Sequence, residues 1–405
     1  MDRPTRKKPN IIFIMFIYWV AIIAWQFVRP VANRSLLDTL VKIGVFLIVF
    51  LYSIMFGKPY TSRRHAIILS LGISTQILTF LFDASGFSLG GFITFAFMMA
   101  QILVFIVLLG DEEIGEKEFV RFAVIMVLVV LFMCVYNIFA YWNRFFSLFA
   151  GGRAYGNECK SILYSNHEFA VYISTGIILA LWLLIKKRLH PLFFAVITVF
   201  FSINLLSTYS RGAIFGIIGA IFVLLFFYRK SIFALFSIAF AGLLAIIVAV
   251  PFLNSFVFDK LMKDTFDGDS IMDASRSEMY SEMWGEYLDS GVFRTFFGHG
   301  YSGASNFSGH DAYLVILLTG GIIMMIFFAL IILWSLYNSC RALRYDKCTG
   351  GVLLAFQTFS LLYMVAQTPI LFYSSMDSFF ITMITVMIPL YTYNRFAHKA
   401  GGNRL

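Results

Sequence analysis

Residues 119–141 read FVRFAVIMVLVVLFMCVYNIFAY, a stretch in which Arg121 is the single charged side chain. A run of about 20 apolar residues is long enough to cross the hydrocarbon of a bilayer as an α-helix, in which each backbone polar group finds its partner within the segment. The run shows no alternation of apolar and polar side chains and is too long for a barrel strand, so a transmembrane β-barrel is excluded. It reads as a membrane-spanning helix.

Working outward from it, comparable runs lie near 10–28, 36–56, 65–82 and 87–109, and then near 168–185, 191–208, 212–228, 232–252, 311–338, 350–368 and 376–393. The sequence therefore predicts an all-α polytopic membrane protein of about twelve spans, one helical domain over residues 1–405. A large loop, 253–310, is inserted between the ninth and tenth spans. Composition agrees. Of the residues, 60% are hydrophobic and 13% charged, against roughly a quarter charged in a soluble domain. The mean hydropathy is +0.84.

Basic residues favour the cytoplasmic side of short loops. With the amino terminus inside, Arg6-Lys7-Lys8, Arg63-Arg64, Lys186-Lys187-Arg188, Arg229-Lys230 and the pair Arg341 and Arg344 fall on one side at every second connection. Both termini are then cytoplasmic. The net charge of +9 is accounted for by this bias, so no nucleic-acid partner is called for, and the basic segments face anionic membrane lipid. The first run follows a basic segment as a signal peptide would, but Trp25-Gln26-Phe27 replaces a small-residue cleavage site, which predicts an uncleaved first span. The four cysteines lack metal-binding spacing, and Cys159 alone falls on the outer side, without a disulfide partner.

Most connections are short; the outer segments 142–167 and 253–310 are not. Within the second, Met279, Tyr280, Met283, Trp284, Tyr287 and Leu288 recur at three- and four-residue steps, the stripe of an amphipathic helix lying on the bundle or at the membrane interface. Arg276 near its start stands among acids, as a surface ion pair with Glu278 or Asp273 or as an anion-binding group. A glycine-rich turn, Phe297-Gly298-His299-Gly300-Tyr301, follows. His310 then sits where the loop becomes a span, either as a group that moves a proton or as a spectator beside Asp311 acting as helix cap. Arg211 lies in the tight connection Ser207-Thr208-Tyr209-Ser210-Arg211-Gly212-Ala213, close to hydrocarbon. It snorkels to the headgroups there or faces a polar cavity. Asp267-Gly268-Asp269 lies in an acidic stretch and reads as solvated rather than metal-binding.

Taken together, Ser210-Arg211-Gly212-Ala213 at a helix end, a loop with Ser275-Arg276 and an aromatic-rich helix, Gly298-x-Gly300 and a histidine opening the next span resemble the O-antigen ligase and polymerase superfamily. The ligase signature is His, then Asn, Ser or Gln, nine residues and Gly. Here His310, Asp311, nine residues and Gly321 keep the spacing, with Asp at the second place. Gly152-Arg153-Ala154-Tyr155-Gly156 and the segment from Ser165-Asn166 to Ala170 are similar to the arginine–glycine and asparagine–alanine pieces that precede the sixth span in that family. The resemblance covers about 140–330 by motif and the whole chain by topology.

It implies a GT-C-like membrane glycosyltransferase at the outer face of the cytoplasmic (inner) membrane, acting on a polyprenyl-diphosphate-linked oligosaccharide. Arg211 and Arg276 would bind the diphosphate and His310 would take the acceptor proton. Arg153, Tyr209, Tyr280 and Asp311 would contact substrate. Arginine suits that task because its planar, permanently charged donors match phosphate oxygens. No metal and no cofactor is called for. A chain-length regulator and a flippase are the protein partners the resemblance suggests. Asp311 favours a polymerase making O-antigen, capsule or exopolysaccharide over a ligase that moves finished glycan to another acceptor. A transporter without chemistry is the reading from a different class; it would show broken helices and charges near the midplane of several spans.

Overall fold

In the computed structural model the described residues are 63–89, 116–147, 159–163, 165–228, 274–303 and 311–367, with scattered positions within 47–55, 91–99 and 381–385. The predicted spans near 10–28, 36–56, 87–109, 232–252 and 376–393 lie wholly or largely outside them, as do Arg153 and His310. Among the described residues the regular structure is entirely helical.

Five long helices follow the sequence reading closely. They are α1 (Arg63–Leu81), α2 (Glu116–Ala140), α4 (Asn166–Ile185), α5 (Pro191–Ser207) and α6 (Arg211–Tyr228), with the short α3 (Trp142–Ser147) after α2. The loop region supplies α7 (Ala274–Asp289), α8 (Gly291–Phe297) and the single turn α9 (Gly300–Gly303), and two long helices, α10 (Ala312–Tyr345) and α11 (Lys347–Ala366), follow. Helices α2, α4, α6, α10 and α11 are each long and apolar enough to cross a membrane.

Helix α4 is apolar all round, with Phe169 to Leu184 buried throughout. That pattern belongs to a helix enclosed by neighbours, and α2, α5, α6 and α11 all pack on it. Helix α6 is two-sided. Gly212, Gly216 and Ala220 recur every fourth residue on its buried face, whereas Phe215, Ile218, Phe222 and Phe226 are exposed. Small residues at this spacing let helix backbones approach in a bilayer, where apolar burial alone drives nothing together. A Cβ at Gly216 would stand 3.0 Å from the Phe359 carbonyl oxygen of α11. Helix α1 buries Gly72, Thr75, Gln76 and Thr79 and turns Leu71, Ile77 and Leu81 outward.

The helix termini sort into two ends. At one, Lys186 after α4 meets Asp346 between α10 and α11 at 2.9 Å, and the Tyr228 hydroxyl at the end of α6 donates to the Lys347 carbonyl at 2.7 Å. Asp346 also caps α11 through Cys348 N (2.9 Å) and the Thr349 hydroxyl (2.6 Å). Burial works to raise its carboxyl, but the Thr349 and Lys186 bonds outweigh it and hold the group below the usual carboxylate range. The starts of α4, α6 and α10 and the ends of α5 and α11 lie together at the other end, joined by the hydrogen bonds described below. This is the alternation that the spacing of the basic clusters predicts.

Helix α10 departs from expectation twice. It extends to Tyr345 rather than about 338, because nothing in Cys340-Arg341-Ala342-Leu343-Arg344 opposes helix before Asp346. It is also broken at Gly321, whose φ of 65° and ψ of −163° are not helical. The period of the apolar residues continues through this point, so the sequence pattern alone does not show the break.

Candidate functional site

The turn from α5 into α6 is the most heavily tied segment at the second end. Thr208 and Tyr209 donate backbone N–H to the Leu205 and Leu206 carbonyls at 3.1 Å each, and Ser210 N donates to the Thr208 hydroxyl at 3.3 Å. From outside the turn, Cys159 N donates to the Ser207 carbonyl at 3.0 Å and the Asn166 amide to the Thr208 carbonyl at 2.7 Å. Tyr209 sits at φ 54°, a left-handed conformation that is rare for a bulky side chain and persists only where the surroundings over-determine it. The result is a rigid platform that presents Arg211, exposed, as the first residue of α6.

Beneath the platform lies a buried polar layer that the sequence reading did not single out. Asn137 of α2 donates through its amide to Asn204 Oδ1 (3.0 Å) and to the Ser207 hydroxyl (3.3 Å). Its own oxygen accepts from Ser161 N at 3.0 Å. These residues are scattered singly through apolar runs, so only the fold reveals that they meet.

Helix α11 joins the platform to the start of α10. The Tyr363 hydroxyl donates to the His167 carbonyl at 3.2 Å, and the His167 ring lies 3.3 Å from the Ser210 hydroxyl. One half-turn earlier on α11, the Leu361 carbonyl accepts from the Tyr313 hydroxyl at 3.1 Å. Asp311 precedes Tyr313 and caps α10, its Oδ1 accepting from Tyr313 N (2.8 Å) and Leu314 N (3.2 Å). Burial raises the Asp311 carboxyl, and the bonds from Leu314 and Tyr313 oppose that rise in part. The last turns of α11 are therefore tied to His167, whose ring meets Ser210 beside Arg211, and to Tyr313, two residues after Asp311.

The loop helices close the third side. Met283 and Tyr287 of α7 are buried against Leu318 of α10, while Trp284 and Leu288 on the same helix are exposed. Tyr280 is half-buried one turn before Met283, and Arg276 lies in the first turn of α7. After α8 the chain enters the Gly298-His299-Gly300 turn, which docks into the break of α10. His299 N donates to the Leu318 carbonyl at 2.7 Å, and Ala84 N donates to the His299 carbonyl at 2.7 Å. Gly298 (φ 72°) and Gly321 (φ 65°) face each other's strands of backbone, and a Cβ at either would lie 2.3 Å from a carbonyl oxygen, that of Thr319 or Phe296. Arg294 of α8 donates to the Phe82 carbonyl and, at 3.2 Å, to that of Gly298. Arg294 was not among the candidate residues, because an isolated arginine in Gly-Val-Phe-Arg-Thr-Phe-Phe carries no signal of its carbonyl-binding role.

Of the predicted site residues, Arg211, Tyr209, Asp311 and Tyr280 are therefore placed at one end of the bundle, with the helix carrying Arg276 packed beside α10. Arg153 and His310 lie outside the described residues. Among the described residues, no three His, Cys, Asp or Glu side chains gather as a metal-binding group. The fold and its apolar helices define a polytopic α-helical membrane protein, with Arg211 and Asp311 at one end of the described helices. No family model matches the chain, and no curated protein matches it.

Proposed function

We propose that the chain is a metal-independent membrane glycosyltransferase that polymerises polyprenyl-diphosphate-linked oligosaccharide units. In this reading it has about twelve spans and a GT-C-like fold, its termini are cytoplasmic, and the end carrying Arg211 and Asp311 faces outward from the cytoplasmic membrane. The observation that supports it best is that α11 packs on both α6 and α10 and that α7 packs on α10, so the helices that carry Arg211, Arg276 and Gly321 are linked through their neighbours. Gly321, the glycine at signature spacing from His310, is also where α10 breaks.

A glycosyl bond to diphosphate breaks with negative charge building on the departing phosphate. Arg211 and Arg276 would offer that charge planar, permanently charged donors, with Arg153 as a third. His310 takes the proton from the acceptor hydroxyl as the new glycosidic bond forms, a step worth roughly 10²–10⁴-fold in rate. Tyr209 and Tyr280 line the approach, and Asp311 fixes the start of α10 behind His310. The acceptor is a second lipid-linked unit; a chain-length regulator and a flippase would act alongside.

A ligase would use the same residues with a different acceptor. The break in α10 gives the transport reading its one point of support, since transporters use discontinuous helices at their substrate sites. Here the gap is filled by the protein's own Gly298-His299-Gly300 backbone rather than left to a substrate.

The test is single replacement of His310, Arg211 and Arg276 with Ala, followed by assay of polymer formation from purified lipid-linked repeat units. Each variant should lose about 10²-fold or more in rate. Normal polymer from all three would remove the assignment, and the carrier on which product grows separates polymerase from ligase.

A further inference from the structure

We infer that His299 is a proton-dependent clasp that positions the loop helix α7 against the first half of α10. The inference depends on the transferase reading only for what is being positioned, namely the end of α7 that bears Arg276. It rests on what the two ring nitrogens face. Nδ1 lies 3.3 Å from the Leu318 carbonyl oxygen of α10, and Nε2 lies 3.8 Å from Glu286 Oε1 of α7. Both neighbours are acceptors. A neutral imidazole can donate to Leu318 but carries no charge to attract Glu286, whereas the imidazolium donates to Leu318 and forms an ion pair with Glu286 at 3.8 Å.

The backbone of the turn leaves His299 little freedom to point elsewhere. Its N–H is held by Leu318, its carbonyl by Ala84, and the glycines on either side are both at positive φ. At Gly300 (φ 84°) a Cβ would stand 2.4 Å from the Asp83 backbone, so the turn is wedged between the end of α1 and the break in α10. The His299 side chain is only 13% exposed, whereas Glu286 is 51% exposed. The histidine is thus the fixed half of the pair and α7 the half that is drawn in.

Of the other ionisable groups on the packed elements, Glu282 and Asp289 of α7 are exposed, and the following are engaged elsewhere. Asp83 accepts from Ser85 N at 3.0 Å and from the Ser85 hydroxyl at 2.7 Å. Arg294 of α8 is bonded to the Phe82 and Gly298 carbonyls, Tyr301 of α9 to Gln76, and Tyr287 of α7 to the Thr295 carbonyl at 3.5 Å. On α10 the nearest such groups are Asp311, engaged as the helix cap, and Tyr313, bonded to Leu361. Glu286 is the carboxylate within ion-pair distance of the ring.

The direction follows from the charge. The clasp is closed while the ring is doubly protonated and opens as pH rises and one N–H is lost. Glu286 is half in water, so the pair is modest and screened by salt.

Hydrogen exchange of the full-length protein in lipid nanodiscs, read as protection factors at about pH 5.5 and about pH 8.5, spans the range in which histidine changes charge. Without substrate, α7 should be about two- to fivefold better protected at the lower pH. High salt should shrink the difference. His299→Asn, whose amide still donates to Leu318 but cannot become a cation, should remove the pH dependence. Glu286→Gln, a change at an exposed carboxylate, should remove it too and serves if the histidine variant fails to fold. Equal protection of wild-type α7 at both pH values overturns the clasp, as does a pH difference that survives in either variant. Because exchange is measured without substrate, a protein with no transferase activity can still show the clasp, and an active one can lack it.

Discussion

Arg211 opens α6 against the field of the helix it begins. The unpaired N–H groups of a first turn already carry partial positive charge, so a cation there costs about 0.3–1 kcal/mol. The turn before it holds Tyr209 at φ 54° through several bonds from other segments. An anion bound at this point would meet both the guanidinium and the helix terminus. Arg211→Gln is therefore expected to leave thermal stability unchanged or raise it by about 0.5 kcal/mol, while lowering transferase rate by about 10²-fold; unfolding and turnover measured on the same preparation check both. Asp311 makes a separate prediction. Its folded carboxyl is raised by burial, so the folded state binds the proton more tightly than the unfolded one, and this group favours folding at low pH and loses that contribution as pH rises through its range. Asp311→Asn keeps the cap without the buried charge, and its melting temperature should match or exceed wild type at pH 7, the gap closing in acid. Asp311→Ala should instead lose the cap, worth about 1 kcal/mol, with the larger loss in acid, where wild type keeps its full contribution.

At the scale of elements, the long helices were legible because the hydrocarbon thickness sets their length and a helix pairs every backbone polar group within itself. The loop helix α7 was legible from the three- and four-residue recurrence of Met279 to Leu288, and it forms over Ala274–Asp289. What the sequence could not convey was which side of each stripe packs. Met283 and Tyr287 face α10, and Trp284 and Leu288 do not. The break in α10 was hidden for a related reason. Gly320-Gly321 stands in an apolar run that a helix tolerates, and only the docking of Gly298 against Thr319 shows that the backbone must leave the helix there. The polar layer of Asn137, Asn204 and Ser161 is illegible in the same sense, since each is a lone polar residue until the bundle closes. Gly321→Ala tests the break. Alanine is strained at φ 65° and its Cβ would strike the Phe296 carbonyl, so destabilisation of about 1–3 kcal/mol is expected. Thermal unfolding in detergent checks it, and an unchanged melting temperature would mean that the helix runs straight.

For the whole molecule, the described helices alternate, with Lys186 and Asp346 at one end and the starts of α6 and α10, marked by Arg211 and Asp311, at the other. In a cysteine-free background, Asp289→Cys should react with a membrane-impermeant thiol reagent on intact cells, whereas Arg188→Cys should react only after permeabilisation. Labelling of both from one side would break the alternation, and the reverse pattern would turn the site toward the cytoplasm. The proposed chemistry adds a stoichiometry that a transporter lacks, because each new glycosidic bond expels one polyprenyl diphosphate. Purified protein should be incubated with a polyprenyl-diphosphate-linked repeat unit while released carrier and polymer bonds are counted together. One carrier freed per bond formed, with the growing chain still on a lipid carrier, is the predicted result; substrate recovered intact, with neither carrier released nor units joined, would contradict it.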